Sequence, residues 1–158
     1  MSEVFVTHSE DETIQIGARL SQLLPHCALV LLIGDLGAGK TTLTKGIAQA
    51  RGAVPADEVS SPTFTLIHEY GEPAIVYHID LYRLDEAREV ASLGIEELLN
   101  RDALVLIEWG ERFPRLWPED HYEIHIAAGA DDDERSIEFI QSPLSPHTSP
   151  QCDSGSSQ

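Results

Sequence analysis

A glycine-rich segment lies between an apolar run and a helical pattern, and its residue types and spacing suit phosphate binding. The segment matches the pattern G-x-x-x-x-G-K-[ST] in full. It comprises Gly34, Asp35, Leu36, Gly37, Ala38, Gly39, Lys40 and Thr41, with Thr42 next in the chain. Backbone N–H groups of such a loop, together with the N-terminus of the following helix, donate to phosphate oxygens, and glycines permit the close approach. We therefore expect a P-loop in which Lys40 reaches the β- and γ-phosphates of ATP.

Two hydroxyl-bearing residues follow Lys40 in this segment. Thr41 is expected to place its hydroxyl on Mg²⁺, and Thr42 to assist through its N–H or hydroxyl. ATP and Mg²⁺ are therefore the ligands that the motif predicts, and Lys40 is a predicted catalytic residue. A chance match in an ordinary glycine-rich turn is the alternative, but an apolar strand before the motif and a helix after it favour the functional interpretation.

Two carboxylates follow apolar runs elsewhere in the chain. Glu108 follows residues 103–107 (ALVLI), and Asp80 follows residues 75–79 (IVYHI). Because the carboxyl ends of parallel strands line the ligand crevice of an open α/β sheet, either acid can face the phosphates. Two neighbouring carboxylates repel each other without a cation, which fits a magnesium site. We expect Glu108 to hold the metal, directly or through water, and Asp80 to orient or deprotonate the attacking water.

The pattern of apolar residues predicts alternating strands and helices. Residues 28–33 (ALVLLI) and 103–107 are continuous apolar runs, which are typical of central strands covered on both faces. Ser9 is the predicted N-cap of the first helix, with Glu12 as its capping-box partner. Further helices are predicted at residues 41–51, 85–92 and 95–100, and further strands at residues 4–7, 63–70, 74–79, 121–127 and 135–140.

These elements predict an α/β fold, a P-loop NTPase-like three-layer sandwich whose central, mostly parallel sheet carries antiparallel hairpin additions. We assign residues 1–141 to this P-loop ATPase domain. Ten of the seventeen residues 142–158 are Ser, Pro or Gly. This segment buries too little apolar area to offset the entropy of ordering, so the sequence predicts a disordered tail.

The charge of the chain bears on its partners and location. The formal net charge is −17, from 27 acidic and 10 basic residues, and the lysines are Lys40 and Lys45 alone. Because nucleic-acid affinity comes largely from cationic contacts, a role in RNA metabolism is expected to act through a protein partner. The longest apolar run, residues 27–33, is too short to span a bilayer. Without a signal segment in view, we predict a cytoplasmic protein that does not contact membranes.

Four blocks together carry a family resemblance: GDLGAGKTTLTKG, SPTFTLIHEY, YHIDLYRL and LIEW, in that order and spacing. They resemble the bacterial TsaE (YjeE) family, from about the first helix to about Ile140. The resemblance implies an ATPase needed for N6-threonylcarbamoyladenosine next to the anticodon of tRNA. It implies the TsaB–TsaD pair as partners, with TsaC making the threonylcarbamoyl-adenylate. By similarity Lys40 contacts phosphate, Thr41 and Glu108 serve magnesium, and Asp80 is important for hydrolysis.

The block at residues 60–63 lies where a switch loop is expected. Hydroxyls of Ser61 and Thr63 there can sense the γ-phosphate and order the loop when ATP is bound. A plain Ser/Pro loop is the alternative.

Two other functions compete with the tRNA-modification ATPase. One is a nucleotide-gated binding module, and the other is a small-molecule kinase. Many such kinases carry an arginine-rich lid, whereas the eight arginines here are scattered, which makes the kinase the weaker alternative.

Overall fold

The structure, a computed structural model, describes residues 2–141, so the predicted tail at residues 142–158 lies outside the described residues. Its strands are β1 (Ser2–Thr7), β2 (Ala28–Ile33), β3 (Ile67–Tyr70), β4 (Val76–Asp80), β5 (Leu104–Glu108), β6 (Tyr122–Ala128) and β7 (Arg135–Gln141). Its α-helices are α1 (Glu10–Leu23), α2 (Lys40–Ala50), α3 (Ala87–Ala91) and α4 (Ile95–Leu99). Short 3₁₀ helices occupy Ala56–Glu58, Gly110–Arg112 and Pro114–Leu116.

All seven strands form one sheet in the order β1-β7-β6-β2-β5-β4-β3. The four inner strands β6, β2, β5 and β4 run parallel to one another. At one edge β7 pairs antiparallel with β6 and β1 pairs antiparallel with β7, and at the other edge β3 pairs antiparallel with β4. This order confirms the predicted mostly parallel sheet with antiparallel hairpin additions.

Helices cover both faces of the sheet, which explains why the central strands are apolar throughout. In β2, Val30 and Leu32 pack in a core with α1 and α2, whereas Leu29 and Leu31 pack on the opposite face with α3 and α4. Because successive side chains of a strand point to opposite faces of the sheet, a strand that is covered on both faces needs apolar residues at every position. The predicted three-layer arrangement is confirmed.

The first helix begins at the predicted N-cap, with one difference. The Ser9 hydroxyl accepts a hydrogen bond from the Glu12 N–H at 3.1 Å, as the capping pattern predicts. The Glu12 carboxylate, however, accepts from the N–H of His8 at 2.7 Å rather than from that of Ser9. The two bonds tie the end of β1 to the start of α1, close to the glycine-rich loop.

One predicted strand begins too early. Residues 63–66 of the predicted strand 63–70 form a turn, and β3 begins only at Ile67. Leu66 has a φ of 71°, and its N–H donates to the Pro62 carbonyl at 2.7 Å. This bond closes the turn and leaves Phe64 83% exposed. The alternating residue types of this segment suit a strand, but the turn hydrogen bond and long-range contacts described below decide its conformation.

The helices of the described residues, 2–141, include none that combines the length and apolar character needed to cross a membrane.

Candidate active site

The glycine-rich loop connects the end of β2 to the first turn of α2, and its backbone requires glycine. Gly39 is the N-cap of α2 and has a φ of 116°, a conformation that residues with a side chain rarely adopt. At Gly34 a Cβ atom would overlap the carbonyl oxygen of Ile126 in β6. Two bonds shape the loop: the Ala38 N–H donates to the Asp35 carbonyl at 3.0 Å, and the Leu43 N–H to the Gly39 carbonyl at 3.0 Å.

Lys40 starts α2 and lies almost entirely inside the protein, with 5% of its surface exposed. Its ammonium donates to the Gly34 carbonyl at 2.6 Å and lies 3.9 Å from Glu108 Oε1. It also lies over the Trp109 ring, 3.9 Å from the ring centre. Burial lowers the pKa of Lys40, and four carboxylates oppose this shift by favouring the charged amine: Glu108, Glu111, Asp80 and Asp35.

The two predicted acids lie side by side at the carboxyl end of the sheet. Glu108 ends β5, the strand next to β2, and Asp80 ends β4, the strand after it. In the pairing register Glu108 is opposite Leu32 on one side and opposite Asp80 on the other. Both side chains are buried, at 3% exposure for Asp80 and 4% for Glu108. Strand order, rather than sequence distance, therefore brings both acids to the end of the glycine-rich loop.

Hydrogen bonds to both oxygens offset the cost of burying the Asp80 carboxylate. Its Oδ1 accepts from the backbone N–H of Tyr82 at 2.8 Å. Its Oδ2 accepts from the Thr63 hydroxyl at 2.9 Å and from the Ser61 hydroxyl at 3.3 Å. Buried charges persist when such donors replace water, so Asp80 and the turn at residues 61–63 stabilise each other. The predicted switch residues thus contact one of the two acids directly.

A cavity of about 300 Å³ opens between these groups. It is lined by Leu36, Gly37, Gly39, Lys40, Thr41, Thr42, Ser61, Thr63, Asp80, Tyr82, Glu108 and Trp109. Three loop residues of the predicted site, Gly34, Asp35 and Ala38, do not line it. They line a neighbouring cavity beside β6.

A further cavity of about 240 Å³ adjoins the first at the start of α1 and shares Gly37, Gly39 and Thr42 with it. Its other lining residues are Ser9, Glu10, Thr13, Asp133 and Arg135. Arg135, at the start of β7, donates to the Ala38 carbonyl at 2.8 Å and so ties the last hairpin to the loop. The two cavities therefore lie next to each other along the glycine-rich loop.

The arrangement offers backbone and cationic donors on one side and oxygen ligands on the other. Within residues 2–141, no group of three His, Cys, Asp or Glu side chains could hold a metal ion by itself. The carboxylate of Glu108 and the hydroxyl of Thr41 line the same cavity as Lys40. One or two oxygen ligands beside a phosphate cradle are the set that Mg²⁺ uses when phosphates complete its coordination.

Sequence profiles assign the chain to a family. The profile described as "Threonylcarbamoyl adenosine biosynthesis protein TsaE" matches residues 7–137. The chain belongs to the TsaE family. This confirms the resemblance carried by the four sequence blocks.

Proteins named TsaE align with most of the chain. The protein named "tRNA threonylcarbamoyladenosine biosynthesis protein TsaE" from Haemophilus influenzae is 39% identical over 137 residues, which cover 83% of this chain and 84% of the relative. The protein of that name from Nostoc sp. is 40% identical over 146 residues, covering 88% of this chain and 85% of the relative. The crystal structure of Bacillus subtilis YdiB superimposes with a TM-score of 0.71 at 30% identity, covering 90% of this chain and 86% of that chain.

Two side chains of this TsaE-family site were not predicted to contact the P-loop lysine or the acids. Trp109 follows Glu108 in the left-handed region, with a φ of 66°, and this conformation places its ring against Lys40. His78 lies in β4, and its Nε2 is 2.5 Å from Glu108 Oε2. The sequence signals were a Glu-Trp pair after an apolar run and a histidine inside another apolar run, two residues before Asp80.

Proposed function

We propose that this TsaE-family chain hydrolyses ATP with Mg²⁺ and thereby supports N6-threonylcarbamoyladenosine formation in tRNA, acting with a TsaB–TsaD complex. The observation that carries the proposal is the cavity where Lys40, Thr41, Asp80 and Glu108 meet at the glycine-rich loop. The names of the relatives support the tRNA modification as the process that hydrolysis serves.

The loop and Lys40 would bind the triphosphate. Backbone N–H groups of residues 34–42 and the N-terminus of the eleven-residue α2 carry the partial positive charge that phosphate oxygens need. Lys40 would exchange its bond to the Gly34 carbonyl for the β- and γ-phosphates. The adjoining cavity near Ser9 and Thr13 offers space for the nucleoside end, because it shares three residues with the phosphate-facing cavity.

Thr41 and Glu108 would hold Mg²⁺, Thr41 through its hydroxyl and Glu108 directly or through water. The fit rests on oxygen ligands, a buried carboxylate and the nearby phosphate cradle. When bound, the ion neutralises charge that develops on the β- and γ-phosphates. Lys40 adds its own charge at the same place, so a chain without either group is expected to lose most of its activity.

Asp80 would orient the attacking water or accept its proton. The water oxygen forms a bond to the γ-phosphorus, the bond from that phosphorus to the bridging oxygen breaks, and ADP and phosphate leave. A carboxylate that already accepts three hydrogen bonds is held in one orientation, which suits the placement of a water molecule. General base assistance of this kind typically contributes about 10²–10⁴-fold in rate.

The charge of the chain supports an indirect contact with tRNA. A net charge of −17 opposes a large electrostatic footprint on RNA, so a protein complex would bring the tRNA to the reaction. The TsaB–TsaD pair fits this role by family resemblance, and the cytoplasm stays the predicted location.

One observation favours a second function, a nucleotide-gated binding module. Ser61 and Thr63 donate to Asp80, so a ligand that reorients Asp80 would also move the turn that these hydroxyls belong to. In that case the ATP-bound state would order a docking surface, and hydrolysis would only reset it.

The proposed function is tested with Lys40→Ala against Lys45→Ala, a matched control. Lys45 is the other lysine of the chain, and its ammonium lies 3.6 Å from Glu10 Oε1. Binding of mant-ATP, a fluorescent ATP, and phosphate release are measured with and without a TsaB–TsaD preparation. We expect Lys40→Ala to lose nucleotide binding and Lys45→Ala to retain it, with release stimulated by the partners.

Equal and negligible phosphate release by the parent chain, alone and with TsaB–TsaD, would contradict the ATPase. Full tRNA modification by an Asp80→Ala variant that binds ATP without hydrolysing it would favour the gated module instead. Unchanged mant-ATP affinity in a folded Lys40→Ala protein would contradict both the ATPase and the nucleotide-gated module.

A further inference from the structure

A histidine lies in the core directly behind the predicted metal ligand. His78 is fully buried, in the middle of β4, and its Nε2 lies 2.5 Å from Glu108 Oε2. His78 and Asp80 are two residues apart on one strand, so their side chains point to the same face of the sheet. Glu108 extends from the neighbouring strand toward that same face, which lets one carboxylate contact both His78 and the region of Lys40.

The direction of this hydrogen bond follows from the chemistry of the two groups. A carboxylate can only accept, so the Nε2–H of His78 donates to Glu108 Oε2. Among residues 2–141, the other ring nitrogen, Nδ1, is buried without a hydrogen-bond partner. The hydrogen bond of this ring is therefore the one to Glu108, and through Glu108 the ring is linked to the Lys40 ammonium.

The two oxygens of Glu108 have different partners. Oε2 is held by His78 on the side of the core, and Oε1 lies 3.9 Å from the Lys40 ammonium, on the side of the P-loop. A glutamate has three rotatable side-chain bonds, and ordering such a side chain costs rotamer entropy. Without a fixed partner, the carboxylate would have to be ordered each time a ligand binds.

We propose that His78 is a positioning residue, which fixes the Glu108 carboxylate so that a single oxygen faces the metal-binding side of the P-loop. The proposal rests on the proposed function, because it concerns Glu108 as a magnesium ligand. Groups that hydrogen-bond to metal ligands orient them, and removing such a group typically lowers metal affinity or activity by about 10–100-fold. His78 itself touches neither nucleotide nor metal in this role.

The alternative role of His78 is packing alone. Its ring centre lies 6.3 Å from that of Tyr70, and both side chains are buried. A packing role depends on volume, whereas a positioning role depends on a donor at the place of Nε2. Substitutions that separate volume from donor position therefore distinguish the two.

Three variants provide this separation. His78→Leu keeps an apolar side chain and removes the donor. His78→Gln reaches far enough to place an amide N–H near the position of Nε2, whereas His78→Asn is one methylene shorter and does not. His121→Leu is the matched control, because His121 also hydrogen-bonds a glutamate, Glu123 at 2.9 Å, but belongs to neither cavity at the P-loop.

The main readout is the coupling between metal and nucleotide binding. The dissociation constant of mant-ATP is measured in EDTA and in saturating Mg²⁺. The constant in EDTA divided by the constant in Mg²⁺ reports how strongly the metal assists binding. We expect His78→Leu and His78→Asn to lower this ratio about tenfold or more. We expect His78→Gln and His121→Leu to stay within about threefold of the parent. The constant in EDTA should hardly change, and thermal melting reports whether each variant is folded.

A second comparison tests whether His78 acts through Glu108. In a Glu108→Ala background the substitution His78→Leu should cause no further loss of the ratio, because the carboxylate to be positioned is gone. Equal ratios for folded His78→Leu, His78→Asn and parent proteins would overturn the inference, as would equal losses in the Gln and Asn variants. If Mg²⁺ did not change the mant-ATP affinity of the parent protein, the proposed function and this inference would both be overturned. If Mg²⁺ raised that affinity in the parent protein but the His78 variants behaved like the parent, only the inference about His78 would fail.

Discussion

Replacing Asp80 with asparagine separates the charge of this side chain from its hydrogen bonds. The carboxylate accepts one bond from the Tyr82 N–H at 2.8 Å and two from the hydroxyls of Thr63 and Ser61 at 2.9 and 3.3 Å. Asparagine has the same shape. Its oxygen can still accept from Tyr82, and its amide can donate to hydroxyl oxygens, which accept as well as donate.

The structure allows the size of each effect to be worked out. Hydrogen bonds to a charged group contribute about 1.5–3 kcal/mol and neutral ones about 0.5–1.5 kcal/mol, so three bonds become weaker. Burying a neutral amide costs less than burying a carboxylate, which offsets most of this loss. We therefore expect the free energy of unfolding to change by about 1 kcal/mol or less.

The catalytic effect should be much larger. If Asp80 orients or deprotonates water through its charge, kcat should fall about 100-fold or more, which corresponds to about 2.7 kcal/mol. ATP affinity should stay the same or increase, since one negative charge near the phosphates is removed. The measurement is phosphate release under saturating ATP, together with mant-ATP binding.

Two further variants make the Asp80→Asn result interpretable. Asp85→Asn is the control, because that side chain is 88% exposed and belongs to neither cavity. Thr63→Val keeps the shape but removes one donor to Asp80, and we expect a loss of kcat of about tenfold. If Asp80→Asn kept kcat within about threefold of the parent while Thr63→Val lost activity, Asp80 would only anchor the turn and the argument for a charged catalytic group would be refuted.

Two other predictions concern stability. Arg51 donates to four carbonyl oxygens at the end of α1 and in the following turn, so Arg51→Met should lower the free energy of unfolding by about 3 kcal/mol in urea denaturation, whereas the exposed Arg88→Met should change it little. Burial raises the pKa of Glu123, but hydrogen bonds from His125 and His121 lower it by more, so its pKa lies below the ordinary value of a glutamate. The ionised Glu123 therefore stabilises the protein at pH values above the pKa of the unfolded chain, and this stabilisation is lost as the pH falls through the lowered pKa. Glu123→Gln should then destabilise the protein by about 1 kcal/mol near neutral pH and progressively less in acid. A penalty that grows toward low pH would contradict this reasoning.

Local patterns predicted the parts of the fold that depend on neighbours in the chain. The continuous apolar run of β2 indicates a strand covered on both faces, because that pattern leaves no side for water. Ser9 and Glu12 indicate a helix start through bonds that span only a few residues. The positive φ of Gly39 is local in the same way, whereas Gly34 is required by its close approach to the Ile126 carbonyl of the distant strand β6.

Patterns of the same kind failed where distant groups decide the conformation. The segment at residues 63–66 has residue types that suit a strand, yet Thr63 bonds Asp80, seventeen residues away in the chain. The backbone of Leu66 adopts a positive φ as the turn closes. Propensity is a weak preference, and a buried carboxylate that needs donors outweighs it.

The sequence by itself determined that a phosphate-binding loop follows a buried strand and opens a helix, since these features lie within one continuous stretch of chain. It also indicated two acids at strand ends, among 27 acidic residues in all. Only the tertiary structure decided that β5 lies beside β2 and β4 beside β5, which sets Asp80 opposite Glu108 and His78 behind it. Strand order depends on the packing of the whole sheet between two helical layers, so no local pattern contains it.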